Sequence, residues 1–163
     1  MLDHQKKYGG KGLGLFEEVL IVEEICAGCV GIGTSINVNS LGFEPILIAG
    51  DEYQKDRYLK PLSKKLSFIS FALSETVAGS DVAGIQCTAE RKGNYYIING
   101  NKFWITNAWI ADTFVVFAKT GKDRKSKKHL SAFIVEKKLG WSKSCSSNEE
   151  VRIKNFTYFC YKF

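Results

Sequence analysis

The side chains best equipped for chemistry lie in two short stretches. The first, Ala72-Leu73-Ser74-Glu75-Thr76-Val77-Ala78-Gly79-Ser80-Asp81-Val82-Ala83-Gly84, leaves an apolar run and enters a loop dense in small residues and hydroxyls. Such a loop can bring backbone N–H groups and Ser or Thr oxygens close to a flat polar ligand, though many ordinary strand-to-loop turns have the same composition. The second is Lys102-Phe103-Trp104-Ile105-Thr106-Asn107. On a strand, Trp104 and Thr106 point to the same face. An indole there can pack along an aromatic ligand while the hydroxyl donates a hydrogen bond, but a core tryptophan beside an edge threonine reads the same way.

Metal chemistry has little support. The five cysteines stand at 26, 29, 87, 145 and 160, and the only histidines are His4 and His129. Cys26-x-x-Cys29 has the spacing of a redox or zinc pair, but no second pair follows, so a four-ligand zinc site is not expected. Both cysteines fall in a segment that reads as a buried helix, where free cysteine behaves as a small hydrophobe. A reducing compartment fits this usage.

The elements that must position the two stretches change character along the chain. Leu15, Phe16, Val19, Leu20, Val22 and Ile25 recur at helical steps, with Glu17, Glu18, Glu23 and Glu24 between them. Gly28, Gly31 and Gly33 follow in an apolar segment. Asp51 with Gln54 three residues on is a capping-box variant that starts a helix carrying Tyr53, Tyr58 and Leu59, and Pro61 marks its end. After residue 66 the period becomes two. Strands are predicted over 68–74, 86–90, 95–98, 113–118 and 130–135, and Asn99-Gly100 predicts a hairpin whose far strand carries Trp104. The expected organisation is therefore a partial helical domain over 1–65, a β domain over 66–136 and a divergent tail over 137–163, with no turn or cap in the tail that would close a domain.

The 163 residues, 45% hydrophobic and 25% charged, describe an ordinary globular composition and exclude a disordered chain or a disulfide miniprotein. No run of about 18 apolar residues is present, so no transmembrane helix is expected. The net charge of +6 is uneven: residues 1–118 hold 11 basic and 13 acidic residues, and residues 119–163 hold 12 and 4. The basic tail could meet a polyanion such as coenzyme A, or be a solvated lysine loop at 119–129. No nucleic-acid motif accompanies it, so nucleic acid is not an expected partner.

Taken together, the two stretches resemble the acyl-CoA dehydrogenases, most of all the medium-chain type. The thirteen residues from Ala72 to Gly84 fit that family's first signature, and the likeness extends through Tyr8-Gly9-Gly10, Gly12-Leu13-Gly14, Glu23-Glu24, Asn39-Ser40-Leu41-Gly42, Ile48-Ala49-Gly50, Gln54-Lys55, Tyr96-Ile97-Ile98-Asn99-Gly100, Trp104-Ile105-Thr106-Asn107 and Ala132-Phe133-Ile134-Val135-Glu136. It covers residues 8 to about 136.

The resemblance implies an α+β chain: a helical N-terminal remnant followed by a central antiparallel β-barrel or sandwich that binds flavin, without the family's C-terminal helical bundle. It implies FAD as cofactor and the oxidation of a fatty acyl-CoA to the trans-2-enoyl-CoA, a step of fatty acid β-oxidation in the mitochondrial matrix, with electrons leaving through electron-transfer flavoprotein. By carry-over, Phe71, Ala72, Leu73, Ser74, Glu75, Thr76, Val77, Ala78, Gly79 and Ser80 line the flavin, together with Trp104, Ile105 and Thr106. Ser74 matches a hydroxyl that bonds the ring, Ser80 a residue shared by flavin and acyl-CoA, Trp104 the indole at the isoalloxazine, and Thr106 the hydroxyl near flavin N5. Thr76 stands where the family usually has proline, and Ala108-Trp109 where it has a small or glycine-rich pair.

The family's catalytic glutamate, part of its adenine site and much of its homo-oligomer interface belong to the C-terminal bundle. No catalytic base is therefore expected in these residues, and Glu75 and Glu136 match other positions. A truncated chain with little turnover is the expected consequence. A non-catalytic module that pairs with full-length subunits is the alternative.

Overall fold

Helix α1 (Leu15–Gly28) and helix α2 (Val30–Ala49) are separated only by Cys29, whose extended backbone (φ −160°, ψ 110°) interrupts the helical hydrogen bonds. The computed structural model describes residues 6–121 and 130–137, and the backbone alone of 151–158 and 161–162. The helical spacing of 15–25 is realised as α1, but its apolar residues are covered only in part, with Ile21, Val22 and Ile25 half-buried. Leu15, Phe16, Val19 and Leu20 are exposed, and no side chain of α1 is buried. The two cysteines also differ from the buried-helix reading: Cys26 is half-buried, and Cys29 sits in the break, exposed. The apolar content of α1 and α2 is spread around both helices, so burying Phe43 and Ile46 leaves other apolar residues facing out.

Helix α3 (Glu52–Tyr58) starts as its sequence predicts. The Asp51 carboxylate accepts from the Gln54 N–H at 2.8 Å, and the Gln54 side-chain oxygen accepts from the Asp51 N–H at 3.0 Å, closing a capping box. Tyr58 and Leu59 are buried and Tyr53 is exposed. Pro61 lies in the first turn of a short helix α4 (Lys60–Lys64), where its missing N–H is no loss.

Strands follow: β1 (Ile69–Ala72), β2 (Thr88–Lys92), β3 (Tyr95–Lys102), β4 (Thr113–Lys119), β5 (Leu130–Glu136), β6 (Val151–Tyr158) and β7 (Tyr161–Lys162). The sheet order is β6-β3-β2-β4-β5-β7, with β1 on β4. Most pairings are antiparallel, but β4 takes parallel partners along one side: β1 over Ile69–Ala72 and β2 at Thr88↔Lys119. The sheet thus splits where β1 and β2 diverge, and the hydroxyl-rich loop leaves from that split.

The predicted hairpin at Asn99-Gly100 does not form there. Both residues lie inside β3, where a register shift against β6 falls between Ile98 and Gly100. Gly100 has φ 151°, and a Cβ on it would overlap Cys87. Glycine is therefore used for a close approach at a bulge. The turn joining β2 to β3 is Gly93-Asn94, with Gly93 at φ 61°. The tail, which carries no sequence signal for closing a fold, supplies β6 to one edge beside β3 and β7 to the other beside β5. Cys145, Cys160, His4 and His129 lie outside the described residues, as does residue 122 onward of the lysine-rich loop.

Two cores lie on opposite faces of the sheet. Phe114, Val116 and Ala118 of β4 join Ala72, Ile85, Ile98, Ile105, Phe133 and Val135 in one. Val115 and Ile134 join Ile69 and the helical residues Tyr8, Phe43, Ile46, Tyr58 and Leu59 in the other. The period of two in β4 and β5 feeds both faces. Fully burying one such side chain contributes about 1.5–3 kcal/mol.

Candidate functional site

The site is built where β1 ends. Strand β1 hands its chain to the segment 73–87, and the end of β3 hands its chain to a turn at 104–108. Two backbone-directed hydrogen bonds join these exits: the Phe103 N–H donates to the Ser74 carbonyl at 3.0 Å, and the Ser70 hydroxyl donates to the Thr106 carbonyl at 2.9 Å. The Asn107 side-chain amide donates to the Ser35 carbonyl of α2 at 2.7 Å, which ties the turn to the helices.

The turn is not the strand its sequence predicts. The ladder stops at Lys102, and Trp104 and Asn107 take left-handed backbone angles, φ 56° and φ 64°. For an aromatic residue this conformation costs on the order of 1 kcal/mol. The shared-face argument for Trp104 and Thr106 therefore fails as strand geometry. In its place, the strained turn holds the indole 63% exposed while Ile105 beside it is buried in the sheet core. Thr106 is half-buried. The Phe103 and Trp104 rings lie 5.9 Å apart and tilted.

The first stretch separates into inward and outward residues. Ala72, Glu75 and Ala78 are buried; Phe71, Leu73 and Ser74 are half-buried; Thr76, Val77, Gly79 and Ser80 are exposed. Phe71 packs against Phe117 with ring centroids 4.9 Å apart. Glu75 and Ala78 exchange backbone hydrogen bonds of 2.8 and 3.2 Å, closing a tight turn that presents Thr76 and Val77 at its tip. The Asp81 carboxylate accepts from the Ala83 N–H at 3.2 Å and shapes the end of the loop.

Beneath this loop lies a polar pairing that the sequence reading, which set Glu75 among the flavin-lining residues, did not foresee. The Lys102 ammonium, fully buried, donates to the Glu75 carboxylate and to the Leu73 carbonyl, each at 2.8 Å. Glu75 in turn accepts from the Gln86 N–H at 2.6 Å and the Cys87 N–H at 3.0 Å. Lys119, also buried, donates to the Ala83 carbonyl at 2.9 Å. The available signal was parity: Lys102 is in phase with Ile98, whose side is the core side, and the loop offers one carboxylate to meet it. Burial pushes the neighbouring Cys87 thiol up to about 12, so it stays protonated and inert.

Glu136 is engaged elsewhere. It accepts from Arg57 at 2.8 Å and from the Tyr58 hydroxyl at 3.0 Å, and the Glu136 hydrogen bond is the main reason the Arg57 guanidinium is held above its already high ordinary value. These residues line a separate open cleft of about 230 Å³ with Lys65, Ser67 and Asp112. Among the described residues, no group of three or more His, Cys, Asp or Glu side chains could hold a metal, and no helix is long and apolar enough to cross a membrane.

The arrangement offers a flat exposed aromatic face beside exposed and half-buried hydroxyls on a loop anchored from below. Known proteins resemble this chain in sequence and in fold. The family model for the acyl-CoA dehydrogenase N-terminal domain matches residues 1–65, and that for the middle domain matches 70–151. The chain is 44% identical over 141 residues to a mitochondrial isovaleryl-CoA dehydrogenase of Pongo abelii, a match covering 85% of this chain and 33% of that one. It is 43% identical over 133 residues to a probable mitochondrial medium-chain specific acyl-CoA dehydrogenase 2 of Caenorhabditis briggsae, covering 80% and 33%. An acyl-CoA dehydrogenase of Bacillus anthracis solved in complex with FAD superposes with a TM-score of 0.82 at 33% identity, covering 95% of this chain and 28% of that one. The chain thus spans about a third of the length of the curated relatives it matches.

Proposed function

The chain belongs to the acyl-CoA dehydrogenase family, and from that premise we propose that the face formed by residues 71–80 and 104–106 is the flavin-side half of a fatty acyl-CoA dehydrogenase site. The observation that carries this reading is Trp104: a large indole, 63% exposed, kept in a strained left-handed turn whose preceding residue, Phe103, is hydrogen-bonded to the loop. Strain of this kind persists where the surroundings enforce it for a purpose.

The residues present fit FAD. The indole offers a flat surface, and Ser74, Thr76, Ser80 and Thr106 offer hydroxyls for the polar edge of a ring system. No atom lies within 4 Å of where a Cβ on Gly79 would stand, so the loop is open on that side. When bound, FAD supplies the hydride acceptor for acyl-CoA oxidation to the enoyl-CoA. The protein's own part would be to orient: Trp104 would pack along the ring, Thr106 and Ser74 would donate to its polar atoms, and Ser80 would serve both cofactor and acyl-CoA. Phe71, Leu73 and Val77 give apolar lining. Ala72, Ala78 and Ile105, buried in the sheet, act through the backbone they fix.

Proton removal from the α carbon requires a general base. Glu75 is held by Lys102 and two amides, and Glu136 by Arg57 and Tyr58, so neither is poised for it. The base belongs, by family resemblance, to length that this chain does not span. Electron-transfer flavoprotein as electron acceptor, the mitochondrial matrix as location and a homo-oligomer as assembly are parts of the same proposal, of which the mitochondrial relatives support the organelle alone.

The test is the visible spectrum after incubation with FAD and desalting. A retained, reshaped flavin band that acyl-CoA does not bleach is the expected result; no retained flavin overturns the reading. A second reading, a non-catalytic module pairing with full-length subunits, is favoured by the exposed apolar side chains of α1 and α2, among them Phe16, Val19, Ile32 and Ile36. Co-elution with a full-length acyl-CoA dehydrogenase subunit would support it.

A further inference from the structure

A buried pair of opposite charges lies beneath the exposed loop. A lysine with no exposed surface and a glutamate only 5% exposed form an ion pair at the base of the segment that the proposed function places against flavin. Taking two charges out of water is costly, and apolar residues of similar volume often serve stability as well or better. Stability alone therefore gives a weak account of the pair. Its connections give a better one. The Lys102 ammonium is anchored on the last residue of β3 and grips both the Leu73 carbonyl and the Glu75 carboxylate. That carboxylate reaches across to the Gln86 and Cys87 amides at the far end of the loop. Lys119, at the end of β4, holds the Ala83 carbonyl from the same buried side. The residue after Lys102, Phe103, donates to Ser74, and the strained Trp104 follows directly.

We infer that the buried Glu75–Lys102 pair is a positioning device that locks the loop 73–84 to the Trp104–Asn107 turn, fixing the two flavin-facing segments relative to each other. The carboxylate gathers both ends of the loop on one side, and the ammonium ties it to the strand that carries the indole. Glu75 and Lys102 are thus positioning residues: their side chains face the interior, and they act through Leu73, Ser74 and Trp104. The same reading gives Glu75 a role distinct from flavin contact. It rests on the functional proposal only for what the locked segments bind, not for the locking itself.

The experiment compares the 163-residue protein with Glu75→Asp, Glu75→Gln, Lys102→Met and the Glu75→Gln/Lys102→Met double variant. It uses amide hydrogen exchange without cofactor, urea unfolding, and FAD titration followed by its visible band. Glu75→Asp keeps both charges but shortens the reach, so it should fold while exchange at 73–78 and 103–107 rises together. FAD binding should weaken about tenfold or more, as expected when groups that must be held to within a fraction of an ångström are loosened. The double variant removes both buried charges, so its unfolding midpoint should recover relative to the single variants while fast exchange and weak FAD binding persist. Recovery of exchange and FAD binding along with stability would overturn the inference and leave the pair a stability element. Faster exchange in only one of the two segments would also overturn it. Failure of the unaltered protein to bind FAD would overturn the functional proposal, while the exchange pattern still decides the locking.

Discussion

The side-chain oxygen of Asn39 accepts a hydrogen bond from the Ile69 backbone N–H at 2.7 Å, while its amide donates to the Ser67 carbonyl at 3.3 Å. One residue of α2 thus satisfies backbone groups at the entry to β1, on the side away from β4. The strand that leads into the site is therefore held by the sheet on one edge and by a helix side chain on the other.

Replacing Asn39 with alanine should cost about 1–3 kcal/mol, because the Ile69 N–H is left buried without its partner. Urea unfolding checks this: the midpoint should fall with the slope unchanged.

Gly42, one turn further along α2, lies against the same strand, and a Cβ there would overlap the Ile69 carbonyl. Gly42→Ala should destabilise by about 1–3 kcal/mol even though alanine is the better helix former, since the clash is with backbone that β4 holds in place. The same unfolding measurement decides it.

Much of this framework was readable in the residues. The Asp51–Gln54 box, the change of period near residue 66 and the strands at 113–118 and 130–135 each rest on a local signal that tertiary contacts did not override. The site was readable as composition but not as geometry. Asn-Gly is a strong hairpin dipeptide, yet at 99–100 the close approach of Cys87 uses the glycine as a bulge, and the reversal falls to Gly93-Asn94. The left-handed turn at Trp104 has no local signal, because tryptophan does not favour that conformation; Ser70, Ser74 and Asn107 impose it through contacts far apart in sequence. The outward apolar residues of α1 were also hidden, since periodicity marks an apolar face without stating what covers it.

The backbone strain at Trp104 can be measured. Trp104→Gly should be more stable than Trp104→Ala by about 1 kcal/mol, because glycine adopts φ 56° without a Cβ penalty while both variants lose the same indole. Both should lose FAD retention. A stability order reversed from this would show that the turn relaxes once the indole is gone.

Cys87 gives a pH prediction. Its thiol is raised from 9.0 to about 12 by burial. Below pH 9 it is neutral in folded and unfolded chains alike, and folding pays nothing for it. As pH rises from 9 toward 12 the unfolded chain ionises there first, so stability falls by up to about 1.4 kcal/mol per pH unit. Cys87→Ala should flatten this alkaline decline relative to the unaltered protein in urea titrations across that range. In the same protein at pH 8, peptide mapping after iodoacetamide should find Cys29 alkylated and Cys87 intact until denaturant is added.

The parallel pairing of β1 with β4 also governs the order in which the molecule is made. Ile69 meets Thr113 across roughly 40 intervening positions, whereas β2 and β3 meet across a tight turn. Closing the long loop before any contact rewards it is slow, so the local β2–β3 pair precedes the docking of β1. The Ser74 and Phe103 exits belong to β1 and β3, on the two sides of that long closure. The face that would receive a ligand is then expected to be completed late, and a nascent protein to pass much of its assembly without it.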